Sequence, residues 1–124
     1  LESVRAVFQL LDNYRRFPSD EEFQKNFATR DIYNLAARRN YVLRRLENFD
    51  QKEIVEVENL TIEHVMPQNQ RLSNDWRVML GSEWKRVQET YLHTIGNLTL
   101  TGYNSELSDR PFQEKRDMAG GFRN

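Results

Sequence analysis

Two short segments with β-strand character lie in a chain whose other patterns are helical, and they constrain the fold most. The first places β-branched and apolar residues in partial alternation over residues 54–65 and runs into Pro67, which cannot donate a ladder amide. The second, residues 97–101, alternates as Asn-Leu-Thr-Leu-Thr. We therefore expect an α+β fold that is mostly helical, with the two strands in a small sheet.

Helical periodicity fills the part of the chain before these strands. Apolar residues recur at helical spacing over residues 3–16 and again over residues 31–48, where Asp31 is a candidate N-cap. Between them, Ser19 and Glu22 form the pattern of a capping box, which predicts the start of another helix. Because these helices carry no catalytic signature, residues 1–52 are predicted to be a helical scaffold layer.

A helical stretch also separates the two strands. It divides at Gly81, which is suited to end one helix, and Ser82, which is suited to cap the next. A helical turn over residues 103–107 and a last helix from Pro111 follow the second strand. The predicted organisation is a helical layer (1–52), a core (53–118) with a helical insertion (72–92), and a flexible tail (119–124).

Composition and the first residues of the chain limit the kinds of protein to which this fold can belong. The chain has no cysteine, which excludes disulfides and thiolate zinc sites, so no structural zinc is expected. No apolar run approaches the roughly 20 residues needed to span a bilayer, and no signal-peptide pattern is present. We expect a cytoplasmic protein without a membrane partner. Because the sequence moves from Leu1 directly into a helical pattern, we also expect it to be a fragment of a longer protein.

The charge pattern gives only a weak indication of nucleic-acid binding. The formal net charge is −1, so there is no global basic field. Basic residues nonetheless occur in pairs, which include Lys85 with Arg86 and Lys115 with Arg116. Each pair taken alone is typical of a solvated helix face, and only a shared face would form a phosphate track.

The chemistry-bearing residues cluster around the two strands. A hard divalent cation prefers oxygen ligands and keeps several waters, so the carboxylate of Glu63 and the amide oxygen of Asn104 are sufficient protein ligands. His64 can accept a proton from water at neutral pH, as a general base for phosphodiester hydrolysis. Alternation along a strand places Glu63 and His64 on opposite faces. A shared site therefore requires the chain to end or bend before Pro67.

Three sequence blocks carry a resemblance to a known family. They are residues 63–68 (Glu-His-Val-Met-Pro-Gln), residues 95–101 (Ile-Gly-Asn-Leu-Thr-Leu-Thr) and residues 103–107 (Tyr-Asn-Ser-Glu-Leu), followed by Pro111, Phe112 and Lys115. Together they resemble the HNH nuclease motif in its ββα-metal form. More narrowly, the chain resembles the C-terminal domain of GmrSD-type, modification-dependent type IV restriction endonucleases, and the helical segments 17–23 and 41–47 extend the similarity over nearly its whole length.

The resemblance implies a role for each matching residue. Glu63 corresponds to the acidic metal ligand and His64 to the general base. Asn97 corresponds to the asparagine that holds the two strands together and orients the base. Asn104 corresponds to the last metal ligand, and Lys115 stands where a basic residue often faces the scissile phosphate. The fold implied is a ββα-metal core on which the N-terminal helical layer packs.

The resemblance also implies an activity and partners. The expected function is that of a divalent-metal-dependent DNA endonuclease domain that nicks or cuts DNA. The expected context is a restriction system directed against foreign, possibly modified, DNA. The expected partner is an N-terminal domain of the same protein that this sequence lacks. Since only oxygen ligands remain at the final motif position, one Mg²⁺ or Mn²⁺ ion is favoured over zinc. The sequence departs from many HNH nucleases in carrying Glu63 rather than Asp, and in the long segment between Glu63 and Asn97.

His93 and the substrate leave alternatives open. His93 precedes the second strand and is open to three interpretations: a second metal ligand, a phosphate contact or a structural group. The residues expected to bind nucleic acid are His93, Lys115, Arg116, Lys85 and Arg86. Two other functions remain possible at this point: a non-catalytic DNA-binding or interaction domain that retains the fold, and a nuclease directed at RNA.

Overall fold

The computed structural model describes residues 2–123 and has an α+β fold that is about 47% helical, which confirms the predicted fold class. The elements in chain order are α1 (Glu2–Gln9), α2 (Asp20–Thr29), α3 (Ala37–Glu47), β1 (Thr61–His64), α4 (Asn74–Leu80), α5 (Trp84–Tyr91), a 3₁₀ turn (Ile95–Asn97), β2 (Leu98–Thr101), α6 (Asn104–Leu107) and α7 (Phe112–Asp117). No helix among the described residues is long and apolar enough to cross a membrane.

The sheet consists of β1 and β2 paired antiparallel. Ile62 lies opposite Leu100, and His64 lies opposite Leu98. The first strand is shorter than the pattern over residues 54–65 predicts, because the partner strand offers only four residues for pairing. The backbone of Val55 bonds instead to the side-chain amide of Asn48, which accepts from the Val55 amide at 2.6 Å.

Two apolar clusters pack around this sheet. The first joins the helices before β1 to the sheet through buried Ile32, Leu43 and Leu98, with Ile62 and Leu100 against them. The second joins the segment after β1 to the inserted helices and to α7. Its buried members are Met66, Leu72 and Trp76, with Val65, Leu92 and Phe112 packed against them. Ile62 of β1 therefore packs in the first cluster, and Val65 and Met66, which follow the strand, pack in the second.

The predicted helix caps are confirmed where the capping contact joins residues that are close in the chain. Ser19 and Glu22 form the complete capping box at the start of α2. The Ser73 hydroxyl caps α4, and Gly81 ends it with a φ of 78°, which an L side chain rarely adopts. Ser82 is not the cap of the next helix, because α5 begins one residue later and Glu83 occupies the cap position without a side-chain bond.

The predicted helix over residues 31–48 is wrong in its first turns. Asp31 does accept a hydrogen bond from the Asn34 amide, but this closes an isolated turn, and α3 begins only after Ala36 with its φ of 40°. The amides of Ile32 and Tyr33 instead donate to the carbonyl of His93, at 2.9 and 3.2 Å. A helix that started at Asp31 would leave these two amides without an intrahelical acceptor, so their bonds to His93 do not prevent it; the non-helical backbone of Ala36 interrupts the predicted helix.

The structure near the two ends of the described chain also differs from what the sequence pattern predicts. The first helix stops at Gln9 instead of continuing through residue 16, and Val4 and Val7 on its apolar side are more than half exposed. Near the other end, the amides of Phe122 and Arg123 donate to the carbonyls of Lys115 and Arg116. The flexibility of residues 119–124 stays a prediction.

Candidate active site at the end of β1

The alternation of β1 separates its two chemistry-bearing side chains. His64 shares a face with Ile62 and packs edge-on against Tyr33, with ring centroids 4.5 Å apart. Glu63 points to the other face, where it meets the ammonium of Lys115. Both side chains are nearly buried, with relative exposures of 5% for Glu63 and 4% for His64.

Lys115, on α7, connects the two sides of the strand end. Its ammonium is fully buried and donates to Glu63 Oε1 at 2.6 Å, to the His64 carbonyl at 3.1 Å and to the Val65 carbonyl at 3.2 Å. An ammonium has three N–H donors, so none remains for a phosphate. The expectation that Lys115 faces the scissile phosphate and binds nucleic acid therefore does not fit this geometry. Lys115 instead fixes the orientation of Glu63.

The carboxylate of Glu63 keeps one oxygen available. Burial raises the pKa of this carboxyl, against the opposing effect of Lys115, and nearby Asp109 raises it further. Oε1 is bonded to Lys115, whereas Oε2 makes no hydrogen bond within residues 2–123. Because no fully buried side-chain oxygen in that range lacks a partner, Oε2 must reach solvent.

Asn104 presents a second oxygen close to the same strand. It is the first residue of α6, and its Nδ2 donates to the Ile62 carbonyl at 3.3 Å. A carbonyl acceptor requires the NH₂ group at that position, so the orientation of the amide is fixed and Oδ1 is left over. Its side chain is half-buried, and Oδ1 forms no hydrogen bond within the described range.

The donor set of Glu63 and Asn104 suits an oxygen-preferring divalent ion. Among residues 2–123 there is no cluster of three His, Cys, Asp or Glu side chains that could hold a metal. An ion held by Glu63 and Asn104 would have one carboxylate and one amide oxygen from the protein, and water or substrate oxygens would complete its shell.

Asn97 anchors the backbone where the first strand ends. Its side chain is 7% exposed; Oδ1 accepts from the Met66 amide at 2.7 Å, and Nδ2 donates to the carbonyls of Met66 and Leu92 at 3.1 and 2.8 Å. Its backbone carbonyl accepts from the Val65 amide at 3.0 Å. One asparagine thus ties the segment after His64 to the end of the helical insertion, which is the kind of role that the resemblance implies.

His64 is held by a second histidine. Its Nε2 lies 3.1 Å from His93 Nδ1, so one of these nitrogens donates to the other. The pKa of His64 is lowered to about 4, chiefly by burial and also by the charges of His93 and Lys115, against an opposing effect of Asp31. The imidazole is therefore unprotonated at neutral pH, which leaves it able to accept a proton.

The helical layer before β1 reaches this histidine pair. The Tyr33 ring stacks on His93 at a centroid distance of 5.2 Å and an angle of 13°, in addition to its edge contact with His64. The Arg39 guanidinium lies 4.9 Å from the centre of the Tyr33 ring. Sequence reasoning missed both residues, and no local signal marks them, because the contacts join segments far apart in the chain.

The remaining residues predicted to bind nucleic acid are dispersed. Arg86 of α5 pairs with Glu83, which precedes that helix, at 3.2 Å, and Arg116 pairs with Asp117 on α7 at 2.6 Å. Lys85 lies 5.5 Å from the centre of the Trp84 ring and, together with His93, lines a groove beside α5. Of the predicted residues, only Lys85 and His93 share this groove, whereas Arg86 and Arg116 are each paired with an acidic neighbour.

Comparison with known proteins gives one family. Residues 17–122 match the family model described as GmrSD restriction endonucleases, C-terminal domain, and this range contains every candidate site residue discussed above. No curated protein and no solved structure matches the chain.

Proposed function

The chain belongs to the family of GmrSD restriction endonuclease C-terminal domains, and from this premise we propose that it is a divalent-metal-dependent endonuclease domain that hydrolyses DNA phosphodiester bonds. One observation carries the proposal. His64 is an unprotonated histidine with one ring nitrogen held by His93, and it directly follows Glu63, a buried carboxylate with one oxygen that has no hydrogen-bond partner in residues 2–123 and is not fully buried. A base and a metal ligand are the two groups that this hydrolysis requires.

In the proposed reaction His64 removes a proton from water. This role selects one tautomer of the histidine pair: the proton sits on His64 Nε2 and is donated to His93 Nδ1, which leaves a lone pair on His64 Nδ1. The water oxygen then forms a bond to phosphorus, the bond to the leaving oxygen breaks, and the water proton remains on His64. A bound phosphodiester carries negative charge, which raises the pKa of His64 and makes it a stronger base in the complex.

Glu63 and Asn104 are the proposed ligands of one Mg²⁺ or Mn²⁺ ion, through Oε2 and Oδ1. When bound, the ion supplies charge stabilisation to the phosphoryl group and the leaving oxygen. Lys115 keeps the Glu63 carboxylate in place, and Asn97 keeps the strand end in place. Because Glu63 and His64 lie on opposite faces, we propose that the scissile phosphate lies at the end of β1, around which one substrate could contact both side chains.

Cleavage of supercoiled plasmid tests this proposal. We expect nicking in the presence of Mg²⁺ or Mn²⁺ and none in EDTA, and we expect His64→Ala to abolish it while circular dichroism shows an intact fold. Lys25→Ala, at an exposed lysine of α2, is the control and should nick like the wild type. Plasmid that stays intact with the wild-type protein, or nicking that survives His64→Ala unchanged, would overturn the proposal.

We propose DNA as the substrate, in keeping with the restriction endonuclease family, and foreign, possibly modified, DNA as its natural target. The matched family is described as a C-terminal domain, so we propose that an N-terminal domain of the same protein is the partner that selects this target. A water nucleophile needs no 2′-hydroxyl, so the chemistry alone would also act on RNA. Matched DNA and RNA strands of the same sequence distinguish the two, and faster cleavage of the RNA strand would contradict our assignment.

A further inference from the structure

A groove of about 610 Å³ runs beside α5 and reaches His93, one member of the histidine pair. Its volume falls within the roughly 300–1,000 Å³ range of ligand sites in proteins. One wall is the segment after β1 and the other is α5. The residues that define it here are Gln68, Gln70, Trp84, Lys85, Gln88 and His93.

Gln88 gives this groove a fixed shape. It is 7% exposed, and its Nε2 donates to the carbonyls of Pro67 and Asn69 at 2.9 and 3.0 Å. These bonds hold the segment after β1 against α5. The amide oxygen of Gln88 makes no hydrogen bond within residues 2–123 and is not fully buried, so it offers an acceptor to the groove that Gln88 lines.

Trp84 supplies the groove with an aromatic ring, and two cations without a carboxylate partner lie close to that ring. Trp84 is half-buried, with the guanidinium of Arg77 and the ammonium of Lys85 at 5.9 and 5.5 Å from its ring centre. Neither cation forms a salt bridge with another described residue. Glu89 also lines the groove, so a phosphate is favoured near Lys85 and disfavoured one helical turn further along.

We propose that this groove binds the DNA strand next to the scissile phosphate, with an unpaired base stacked on Trp84 and its phosphate on Lys85. Stacking on an aromatic ring with a nearby cation is the common chemistry of single-strand recognition, and it tolerates any base because every base has a π face. The contact between His93 and His64 then links the groove to His64, the proposed general base of the hydrolysis. This inference rests on the proposed function, because it assigns a path to the same substrate.

Intrinsic fluorescence tests the stacking without requiring cleavage. The chain has two tryptophans: Trp84 at the groove, and Trp76, which is 3% exposed with its indole N–H donated to the Arg110 carbonyl. A short oligodeoxythymidine added in EDTA, where no metal supports hydrolysis, should quench the wild-type emission. Trp84→Phe should lose most of this quenching, and Trp76→Phe, the matched control, should keep it.

Salt dependence tests the phosphate contact. The logarithm of the binding constant falls linearly with the logarithm of the salt concentration. Lys85→Ala should make this slope less steep by about 0.7, the value for one phosphate contact on a single strand. Lys25→Ala, an exposed lysine on α2, should leave the slope unchanged. Quenching that persists in Trp84→Phe, or an unchanged slope in Lys85→Ala, would overturn the groove assignment.

The two proposals fail in different ways. If plasmid nicking is absent while the oligonucleotide quenches Trp84, the nuclease assignment is wrong and the groove remains a DNA-binding site. If nicking occurs but the Trp84 signal does not change with DNA, the substrate follows another path.

Discussion

Replacement of Lys115 by methionine should destabilise the protein strongly, although a lysine on a short C-terminal helix is usually a surface residue. In this protein its ammonium is fully buried and bonded to Glu63 and to two backbone carbonyls. Methionine has nearly the same length but no donor. The variant therefore leaves a carboxylate that is 6% exposed without its counter-charge.

The size of the loss follows from these bonds. Removing one partner of a buried ion pair costs about 3–5 kcal/mol, because the other charge stays buried and unpaired. This is a large part of the roughly 5–15 kcal/mol that stabilises a typical domain. The loss should be smaller in mildly acidic buffer, because Lys115→Met raises the pKa of Glu63 further and a protonated carboxyl is tolerated in the folded state.

Urea unfolding followed by circular dichroism measures this loss. Lys25→Met, at an exposed lysine of α2, is the matched control and should change the free energy of unfolding by less than about 0.5 kcal/mol. Adding Glu63→Gln to Lys115→Met should recover part of the stability, with a coupling of about 1–3 kcal/mol between the two sites. If Lys115→Met is as stable as the control and loses only activity, Lys115 faces the phosphate as the resemblance implied, and our assignment is refuted.

Three further changes test the surrounding structure. Asn97→Asp keeps an acceptor but replaces the donor to two backbone carbonyls, so urea unfolding should show a loss of about 2–4 kcal/mol, and a loss below that of a surface variant would contradict the anchoring role. Ser19→Ala removes the N-cap of α2 and should cost about 1 kcal/mol by thermal unfolding, whereas an unchanged midpoint would show that the cap contributes nothing. A side-chain bond from Arg16 and a backbone bond from Ser19 lower the pKa of Glu22 from 4.5 to about 2, so its stabilisation is present above that range and is lost as the pH falls through it. Glu22→Gln should therefore flatten the acid limb of stability between these values, and an acid limb identical to the wild type would contradict this.

Local sequence signals predicted the parts of the fold that depend on neighbouring residues. The Ser19 capping box and the Gly81 helix end each rest on contacts within a few positions, so residue type alone identifies them. Alternation correctly predicted β2 and the separation of Glu63 from His64. The extent of β1 was not predictable in the same way, because it is set by the length of its partner.

Contacts between distant segments account for what the sequence did not predict. Nothing near Tyr33 indicates that its amide and its ring contact His93, and no residue type marks the positive φ of Ala36 that delays the start of α3. Likewise, the residues around Lys115 favour an exposed helix face, whereas three acceptors about fifty positions earlier in the chain draw its ammonium inside. Sequence patterns relate residues that are close together in the chain, whereas the partners of Tyr33 and Lys115 lie far away in the chain.

The opposite orientation of Glu63 and His64, which first argues against a shared site, has an electrostatic advantage. On one face the carboxylate would raise the pKa of the histidine and favour the imidazolium, which cannot act as a base. On opposite faces Glu63 pairs with Lys115, and the positive charge of that lysine lowers the pKa of His64. The strand thus allows an acid and a base to be adjacent in sequence while the base stays unprotonated. The arrangement is useful only where the strand ends, since there a substrate can reach both faces, and the three side-chain bonds of Asn97 fix the chain at that point.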